Sequence, residues 1–133
     1  MPMKHTQMVR ELLAVLAATL WSVLSEFVRN ELLFKRVWVD HYQNLGIVFP
    51  SAPVNGVVWA LWSLAFVSGL RFILTRFSLV SGAFLAWFMG FVLMWLVAGN
   101  LSVFPLPLLS YAIPLSLLEV FVAAWILLKL TRH

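Results

Sequence analysis

Four long apolar stretches, separated by short polar or proline-containing breaks, constrain the fold of this 133-residue chain more than any other feature. We place them at residues 12–30, 54–75, 79–99 and 113–130. Each comes close to, or exceeds, the roughly 20 apolar residues that a helix needs to cross a bilayer core. The pattern predicts an all-α, polytopic integral membrane protein, an antiparallel bundle of four transmembrane helices. Residues 1–133 are expected to form this single domain.

The breaks between the stretches are NLGIVFPSAP, TRFS and GNLSVFPLPLLSYAIP. The second is short enough for a tight turn. Pro114 closes the third break, and we expect it in the first turn of the fourth helix, where its missing N–H costs nothing.

The composition supports lipid as the surrounding solvent. Hydrophobic residues make up 63% of the chain and charged residues 11%, whereas ordinary soluble domains carry roughly 25% charged residues. The net charge of +4 comes from basic residues that are scattered and form no stripe, so we predict no nucleic-acid partner. Because the chain has no cysteine, it has no thiolate nucleophile and no thiolate metal ligand.

Basic residues predict the orientation. With four spans, both termini share one side with the loop between the second and third spans. That side carries six basic residues and the other side three. Basic residues collect on the cytoplasmic side, so we predict cytoplasmic termini. A bacterial inner membrane is expected only from the resemblance to bacterial membrane proteins described below. Arg71, one turn inside the second span, is expected to reach the interface by snorkelling.

Two rows of residues spaced by four indicate inward-facing helix surfaces. Small residues in such rows let helices approach closely within lipid, and dimerisation through the third helix is an alternative use of its row. Leu, Phe, Val and most Trp are expected to face lipid. The rows are Ala14, Ala18, Ser22, Glu26 and Asn30 in the first helix, and Gly82, Ala86 and Gly90 in the third.

Charged residues cluster where the first apolar stretch ends, in the segment SEFVRNE. Glu26 is expected about 24 Å beyond Arg10, near the outer edge of a core about 30 Å thick. After it, apolar residues such as Phe34 and Trp38 fall on one side and charged residues largely on the other. This predicts an amphipathic helix at the outer interface, or an extension of the first helix.

Glu119 is expected close to mid-membrane, about 15 Å from Lys129 along its helix. A carboxylate there costs roughly 2.5–3.5 kcal/mol on the insertion scale, so it should face inward and find a partner or a proton. We predict a polar pocket open to the outer side, built around Glu119 with Arg29 and Glu26 at its mouth. Structural ion pairing between helices is the alternative interpretation. The remaining polar residues expected in the pocket are Asn30, Asn55, Asn100 and Ser116.

No pattern indicates a cofactor, a metal site or a catalytic residue. His5, His41 and His133 lie outside the predicted spans, which excludes a haem held by two histidines within the bundle. The Glu-x-x-His pairs of a di-iron bundle are also missing. We therefore predict no cofactor, no metal and no catalytic constellation.

A series of short motifs follows the spans: HYQNLG, FVSGLRF, SGAFLAWFMG and GNLSVFPLPLLSYAIPLSLLEVFVAAW. Their order resembles that of small bacterial four-helix membrane proteins classed only as domains of unknown function. The resemblance rests on spacing and on Gly69, Gly82, Asn100, Pro107 and Glu119. It implies the four-helix fold, points to Asn100 and Glu119, and implies no activity.

Three functions fit these observations. The first, favoured by the small size and the missing catalytic constellation, is a non-enzymatic accessory or partner-binding membrane protein. The second is a small carrier or binder of a hydrophobic or cationic molecule, with Glu119 as counter-charge or proton site. The third is a lipid-modifying enzyme, such as an isomerase, that uses Glu26 and Glu119. The expected partners are the lipid bilayer and either another membrane protein or a second copy of the chain.

Overall fold

The computed structural model describes residues 2–132, and its regular segments are helical. Within this range there is no strand, so the predicted all-α class is confirmed. The elements, in chain order, are α1 (His5–Phe27), a π-helical segment (Val28–Leu33), α2 (Lys35–Asn44), α3 (Pro53–Ile73), α4 (Leu79–Trp87), a second π-helical segment (Phe88–Val92), α5 (Leu93–Asn100), a 3-10 turn (Leu106–Leu108) and α6 (Leu109–Thr131).

Four helical segments are long and apolar enough to cross a bilayer, which confirms the four predicted apolar helices. The first and fourth are longer than predicted. Polar residues at both ends continue the first helix, whereas the mostly apolar segment LPLLSYA, residues 106–112, begins the fourth span earlier. We call these segments the first, second, third and fourth spans. They are His5–Leu33, Pro53–Ile73, Leu79–Asn100 and Leu106–Thr131.

The start of the fourth span differs from the prediction. Pro114 lies inside α6 and not in its first turn. Pro107 instead occupies one of the first two positions of the preceding 3-10 turn, where a proline is well tolerated. The break contains three prolines, Pro105, Pro107 and Pro114, and the first two lie at the start of the span while the third lies inside α6.

The four spans form a ring in which each contacts its neighbours. α1 packs against α3 and α6, and α4 packs against the same two helices. The residues of the predicted inner row of the first span are buried from Ala14 to Glu26, while Asn30 is half-buried. The other alanines of the core are Ala83, Ala86, Ala112, Ala123 and Ala124.

The glycine row of the third span contacts the second span of the same chain. A Cβ atom on Gly82 would lie 2.9 Å from Leu74 Cδ2, and one on Gly90 would overlap the ring of Phe66. Phe66 stacks on Trp62, with ring centroids 5.1 Å apart. The second span therefore fills the space in front of both glycines, on the surface considered above for dimerisation.

Tryptophan placement corrects the expectation that most of these side chains face lipid. Five of the seven are buried or half-buried, because their rings fill the space beside the small residues and three donate Nε1–H hydrogen bonds. A buried indole N–H needs such a partner. The five are Trp21, Trp38, Trp62, Trp87 and Trp95, whereas Trp59 and Trp125 are exposed.

Arg71 also differs from its prediction. Its guanidinium donates two hydrogen bonds of 2.7 Å each to the carboxylate of Glu11. This bidentate geometry is stronger than a single charged contact. The arginine therefore ties the second span to the first, where snorkelling alone was expected.

The close approach at Gly90 generates a stability prediction. Gly90→Ala should lower the free energy of unfolding by about 1–3 kcal/mol, because the stacked ring of Phe66 cannot move aside freely. The measurement is unfolding in a detergent-to-denaturant titration followed by circular dichroism.

Gly69→Ala is the matched control, since a Cβ atom there meets nothing within 4 Å. It should be neutral or stabilising by up to about 1 kcal/mol, through helix propensity. Equal stabilities for the two variants would contradict the described contact between Gly90 and Phe66.

Candidate functional site

Arg29 lies at the centre of a buried charged cluster. Its Nη2 atom is 2.9 Å from Glu26 Oε2, and its Nη1 atom is 3.3 Å from Glu119 Oε1. The exposed fractions are 8% for Arg29, 5% for Glu26 and 1% for Glu119. One guanidinium thus bridges two carboxylates, one from its own span and one from the fourth.

Glu119 is held by further contacts from the first span. Ser22 Oγ donates to Glu119 Oε2 at 3.2 Å, and Trp21 Nε1–H donates to the Glu119 backbone carbonyl at 2.9 Å. One turn earlier in α6, Ser116 Oγ accepts a 2.8 Å hydrogen bond from Trp87 Nε1–H. These contacts fix the fourth span against the first and third at a single level of the bundle.

A chain of hydrogen bonds extends the cluster towards α2. Trp38 Nε1–H donates to Asn30 Oδ1 at 3.1 Å, and Asn30 Nδ2–H donates to Glu26 Oε2 at 3.3 Å. The two residues therefore connect α2 to the buried carboxylate of Glu26. Movement of α2 would alter the surroundings of the cluster through these bonds.

Both π-helical segments carry a residue of the site. Arg29 lies in the first of them and Phe91 in the second. The guanidinium carbon of Arg29 is 5.8 Å from the centroid of the Phe91 ring, within the range of a cation–π contact. Single π-turns inside α-helices are frequent at functional sites.

A cavity of about 580 Å³ opens beside the cluster. It lies between the first three spans, α2 and the loop that follows α2, and it reaches the start of the fourth span. Small-molecule sites in proteins commonly measure about 300–1,000 Å³. Its wall is mainly apolar, and a third of the lining residues are aromatic: Phe27, Phe34, Trp38, Tyr42, Phe49, Trp59, Trp62, Phe91, Trp95 and Phe104.

The α2 helix forms one wall of this cavity. Phe34, with φ −122° and ψ 14°, breaks the first span, so that α2 is a separate helix and not an extension of that span. The Trp38 ring packs against the rings of Phe49 and Phe104, with centroids 5.8 and 5.4 Å away. These aromatic contacts hold α2 beside the cavity. They are made by Trp38, which belongs to the apolar side of the predicted amphipathic helix.

The structure brings together some of the predicted pocket residues. Glu26, Arg29, Asn30 and Asn55 line the cavity. Glu119 does not, because Arg29 and Glu26 stand between it and the open space, which corrects the prediction of a pocket built around Glu119.

Two further predicted pocket residues also lie outside the cavity wall. Ser116 is buried and paired with Trp87, while Asn100 ends α5 and is exposed.

Two polar groups of the cavity lining have no partner. Within the described part of the chain, Glu26 Oε1 and Ser63 Oγ are buried side-chain atoms without a hydrogen-bond partner. Both residues line the cavity, and Ser63 is only 1% exposed. Buried polar atoms are nearly always hydrogen-bonded, so these two atoms are exceptions within the bundle, and both are closed off from the open space of the cavity.

Sequence reasoning missed the residues that complete this site. They are the indole donors Trp21, Trp38 and Trp87, together with Phe91 beside Arg29. The available signal was the number of tryptophans in a chain with few other hydrogen-bond donors. It does not reveal which carbonyl or hydroxyl each indole meets.

The histidines lie away from the cluster. His5 begins α1, and His41 in α2 places Nε2 2.7 Å from the Ser102 carbonyl oxygen. His133 lies outside the described residues. From residue 2 to residue 132, no three His, Asp or Glu side chains come close enough to hold a metal ion.

No protein-family model matches the chain, and the comparisons with curated proteins and with solved structures find no match either. The fold and the cluster therefore carry the functional argument, and the resemblance to small four-helix bacterial proteins stays a prediction.

The bridging role of Arg29 generates the second prediction. Arg29→Met should lower the free energy of unfolding by about 3–5 kcal/mol, because it leaves two buried carboxylates without their cation. The measurement is the same denaturant titration, with the wild-type protein beside it.

Arg36→Met serves as the control. Arg36 pairs with Asp40 at 3.8 Å, and its side chain is 94% exposed. Its removal should leave the stability nearly unchanged. If both variants unfold like the wild type, the cluster does not tie the spans together.

Proposed function

We propose that this chain is a multi-pass membrane protein that binds a hydrophobic small molecule in the cavity beside Arg29. The single observation that carries this proposal is the cavity itself, which measures about 580 Å³ and has a mainly apolar wall with ten aromatic residues and a few polar ones, among them Glu26, Arg29 and Asn55. Apolar pockets with a few convergent polar groups are the usual form of ligand sites.

Exposed apolar surface supports insertion into a bilayer. Along the first span, Leu12, Leu16, Leu20 and Leu24 are all at least half exposed. Monomeric soluble proteins rarely expose contiguous patches of this kind. In a lipid bilayer, these exposed apolar side chains would not have to contact water. The four apolar spans are long enough to cross a bilayer.

Short connections support an antiparallel arrangement. Five residues, 74–78, separate the second span from the third, and five more, 101–105, separate the third from the fourth. Connections of this length favour antiparallel neighbours in helix bundles. With the basic residues already counted, this supports cytoplasmic termini. The resemblance to small bacterial membrane proteins is what favours a bacterial inner membrane.

The cluster favours binding over catalysis. Glu26 and Glu119 both contact Arg29, so neither carboxylate is free to serve as an acid or base of a lipid-modifying enzyme. An accessory role needs no internal cavity, whereas a binder or carrier does. The cavity therefore favours a binder of small molecules over an accessory protein. Glu26 lines the cavity and Glu119 does not, so Glu26 is the carboxylate nearer the ligand.

Orientation is tested with single cysteines, since the chain has none of its own. Val48→Cys should react with a membrane-impermeant maleimide on intact bacterial cells, because Val48 is 89% exposed in the loop after α2. Arg76→Cys, in the turn between the second and third spans, should react only after the cells are broken. The opposite labelling pattern would reverse the proposed orientation.

Ligand binding is tested by filling the cavity. Ala60 lines the cavity, and Ala60→Phe should weaken saturable binding of a neutral aromatic probe, 2-(2-naphthyl)ethanol, at least about tenfold by occupying its space. Binding is measured by isothermal titration calorimetry in phosphatidylcholine nanodiscs, with empty nanodiscs as the blank.

Ala65→Phe is the matched control, since Ala65 is an exposed residue of the same helix outside the cavity wall. It should bind the probe like the wild type. Wild-type protein that shows no saturable binding, or an equal loss in both variants, would refute the cavity as a ligand site.

A further inference from the structure

The first and second spans are joined at one end and separated by the cavity at the other. Arg71, near the end of the second span, donates two 2.7 Å hydrogen bonds to Glu11, near the start of the first. Val67, one turn before Arg71, is fully buried. Towards α2, by contrast, Phe27 of the first span and Trp59 of the second both line the cavity. The two helices therefore form a cleft that is closed at the Arg71 end and open at the α2 end.

The rim of this cleft is apolar and exposed. Phe27, Val58 and Trp59 line the cavity and are 52%, 58% and 44% exposed, whereas Trp95 and Phe104 on the opposite wall are buried. Lining residues that are also exposed mark the opening of a cavity, so the opening lies between the first and second spans. Because the rim residues belong to helices long enough to cross a bilayer, the opening faces the hydrocarbon of the proposed membrane.

The α2 helix lies over the end of the cavity that is nearest to water. His41 Nε2 is 2.7 Å from the Ser102 carbonyl oxygen, and the ring centroids of Tyr42 and Phe49 are 5.1 Å apart. Lys35 Nζ lies 5.0 Å from the centroid of the Phe49 ring, within the range of a cation–π contact. These contacts join α2 to the loops on either side of it. An apolar molecule therefore has a more direct route into the cavity from the bilayer than from water.

The depth of the cavity matches one leaflet of a bilayer. On the second span its lining extends from Pro53 to Trp62, which is about 14 Å along a helix. The hydrocarbon core is about 30 Å thick, so one leaflet contributes about 15 Å. Since Pro53 begins the second span, the lined stretch is the half of the helix on the α2 side. A lipid acyl chain that runs from the membrane surface to the bilayer centre has this length and direction.

Charged and polar groups at the same end of the cavity complement a zwitterionic headgroup. Lys35 Nζ donates to Glu31 Oε2 at 2.7 Å, and their side chains are 32% and 40% exposed. An ammonium group has three donors, so Lys35 can also donate to a lipid phosphate while it stays paired with Glu31. Asn55, near the start of the second span, lines the cavity with both and carries two further N–H donors. Adjacent opposite charges suit a headgroup that carries both a phosphate and an ammonium.

From these observations we infer that the ligand is a zwitterionic phospholipid of the surrounding bilayer, one of whose acyl chains enters the cavity sideways between the first and second spans. This inference rests on the proposed function, because it names the class of molecule that the cavity takes. The acyl chain contacts the apolar wall, and the headgroup contacts Lys35, Glu31 and Asn55 at the membrane surface. With the proposed orientation, the lipid belongs to the outer leaflet.

Photo-crosslinking from within the bilayer tests this inference. The probe is phosphatidylethanolamine with a diazirine midway along one acyl chain, added at a low fraction to phosphatidylcholine nanodiscs. After irradiation, tandem mass spectrometry should locate adducts on Trp95, which is 8% exposed, and on Leu20, which is 60% exposed and serves as the reference for surrounding lipid. Excess 2-(2-naphthyl)ethanol should lower the ratio of Trp95 to Leu20 adducts, because both molecules need the same space.

A second probe tests the headgroup. Phosphatidylglycerol with the same diazirine chain carries the phosphate without the ammonium. Its ratio of Trp95 to Leu20 adducts should be lower by about twofold or more, because it brings a net negative charge to the Glu31 carboxylate and offers it no cation.

Two tryptophan variants of adjacent residues test the route of entry. Val57 and Val58 are both 58% exposed, but only Val58 lines the cavity. Val58→Trp should lower the ratio of Trp95 to Leu20 adducts at least about fivefold by filling the rim of the cleft. Val57→Trp should leave the ratio nearly unchanged.

The outcomes separate this inference from the proposed function. Leu20 adducts without Trp95 adducts, in a protein that binds 2-(2-naphthyl)ethanol saturably, would overturn the lipid and leave the cavity as a ligand site. Equal loss of Trp95 adducts in the two tryptophan variants would overturn entry between the first and second spans, and equal or stronger labelling by phosphatidylglycerol would overturn the zwitterionic headgroup. A cavity that takes neither the lipid chain nor the naphthyl probe would overturn both proposals. If Val58→Trp does not fold, the competition with 2-(2-naphthyl)ethanol in the wild-type protein still decides.

Discussion

The contact of one guanidinium with two carboxylates is the interaction on which the rest of this structure depends. Arg29 connects Glu26 of the first span with Glu119 of the fourth, two residues far apart in the sequence. In the bilayer that we propose as the surroundings, there is little hydrophobic force to select one helix packing over another, so polar contacts would specify which faces meet. The level of the cluster sets where Ser22, Trp21 and Ser116 find their partners.

Side-chain size then decides where the bundle is closed and where it is open. The first span is lined by Ala14 and Ala18 towards its start, and it packs there against other small residues. Beyond the charged cluster, large rings such as Trp62 and Trp95 hold the elements apart. Alanines allow backbones to approach closely, whereas aromatic side chains of different orientation leave gaps between their rings. The cavity follows from this change in size along the bundle.

The position of the charged cluster beside the cavity is what makes the pair a candidate binding site. A buried Arg–Glu pair on its own can simply connect two helices and needs no further function. Here Glu26 and Arg29 pair with each other and also line the cavity. The apolar cavity therefore has a polar end, and Trp38 of α2 lies in the same wall.

Local information determined the spans, the all-α class and the inner row from Ala14 to Glu26, because hydrophobic periodicity acts over one or two helical turns. It also identified Glu119 as a costly charge in need of a partner, and it predicted Glu26 and Arg29 in the same pocket. Only the tertiary structure decided which nitrogen meets which oxygen, that Glu119 lies behind Arg29 and not in the cavity, and that most tryptophans point inward. Those outcomes depend on contacts between residues distant in the sequence, whose geometry the packing of whole helices sets and no local pattern records.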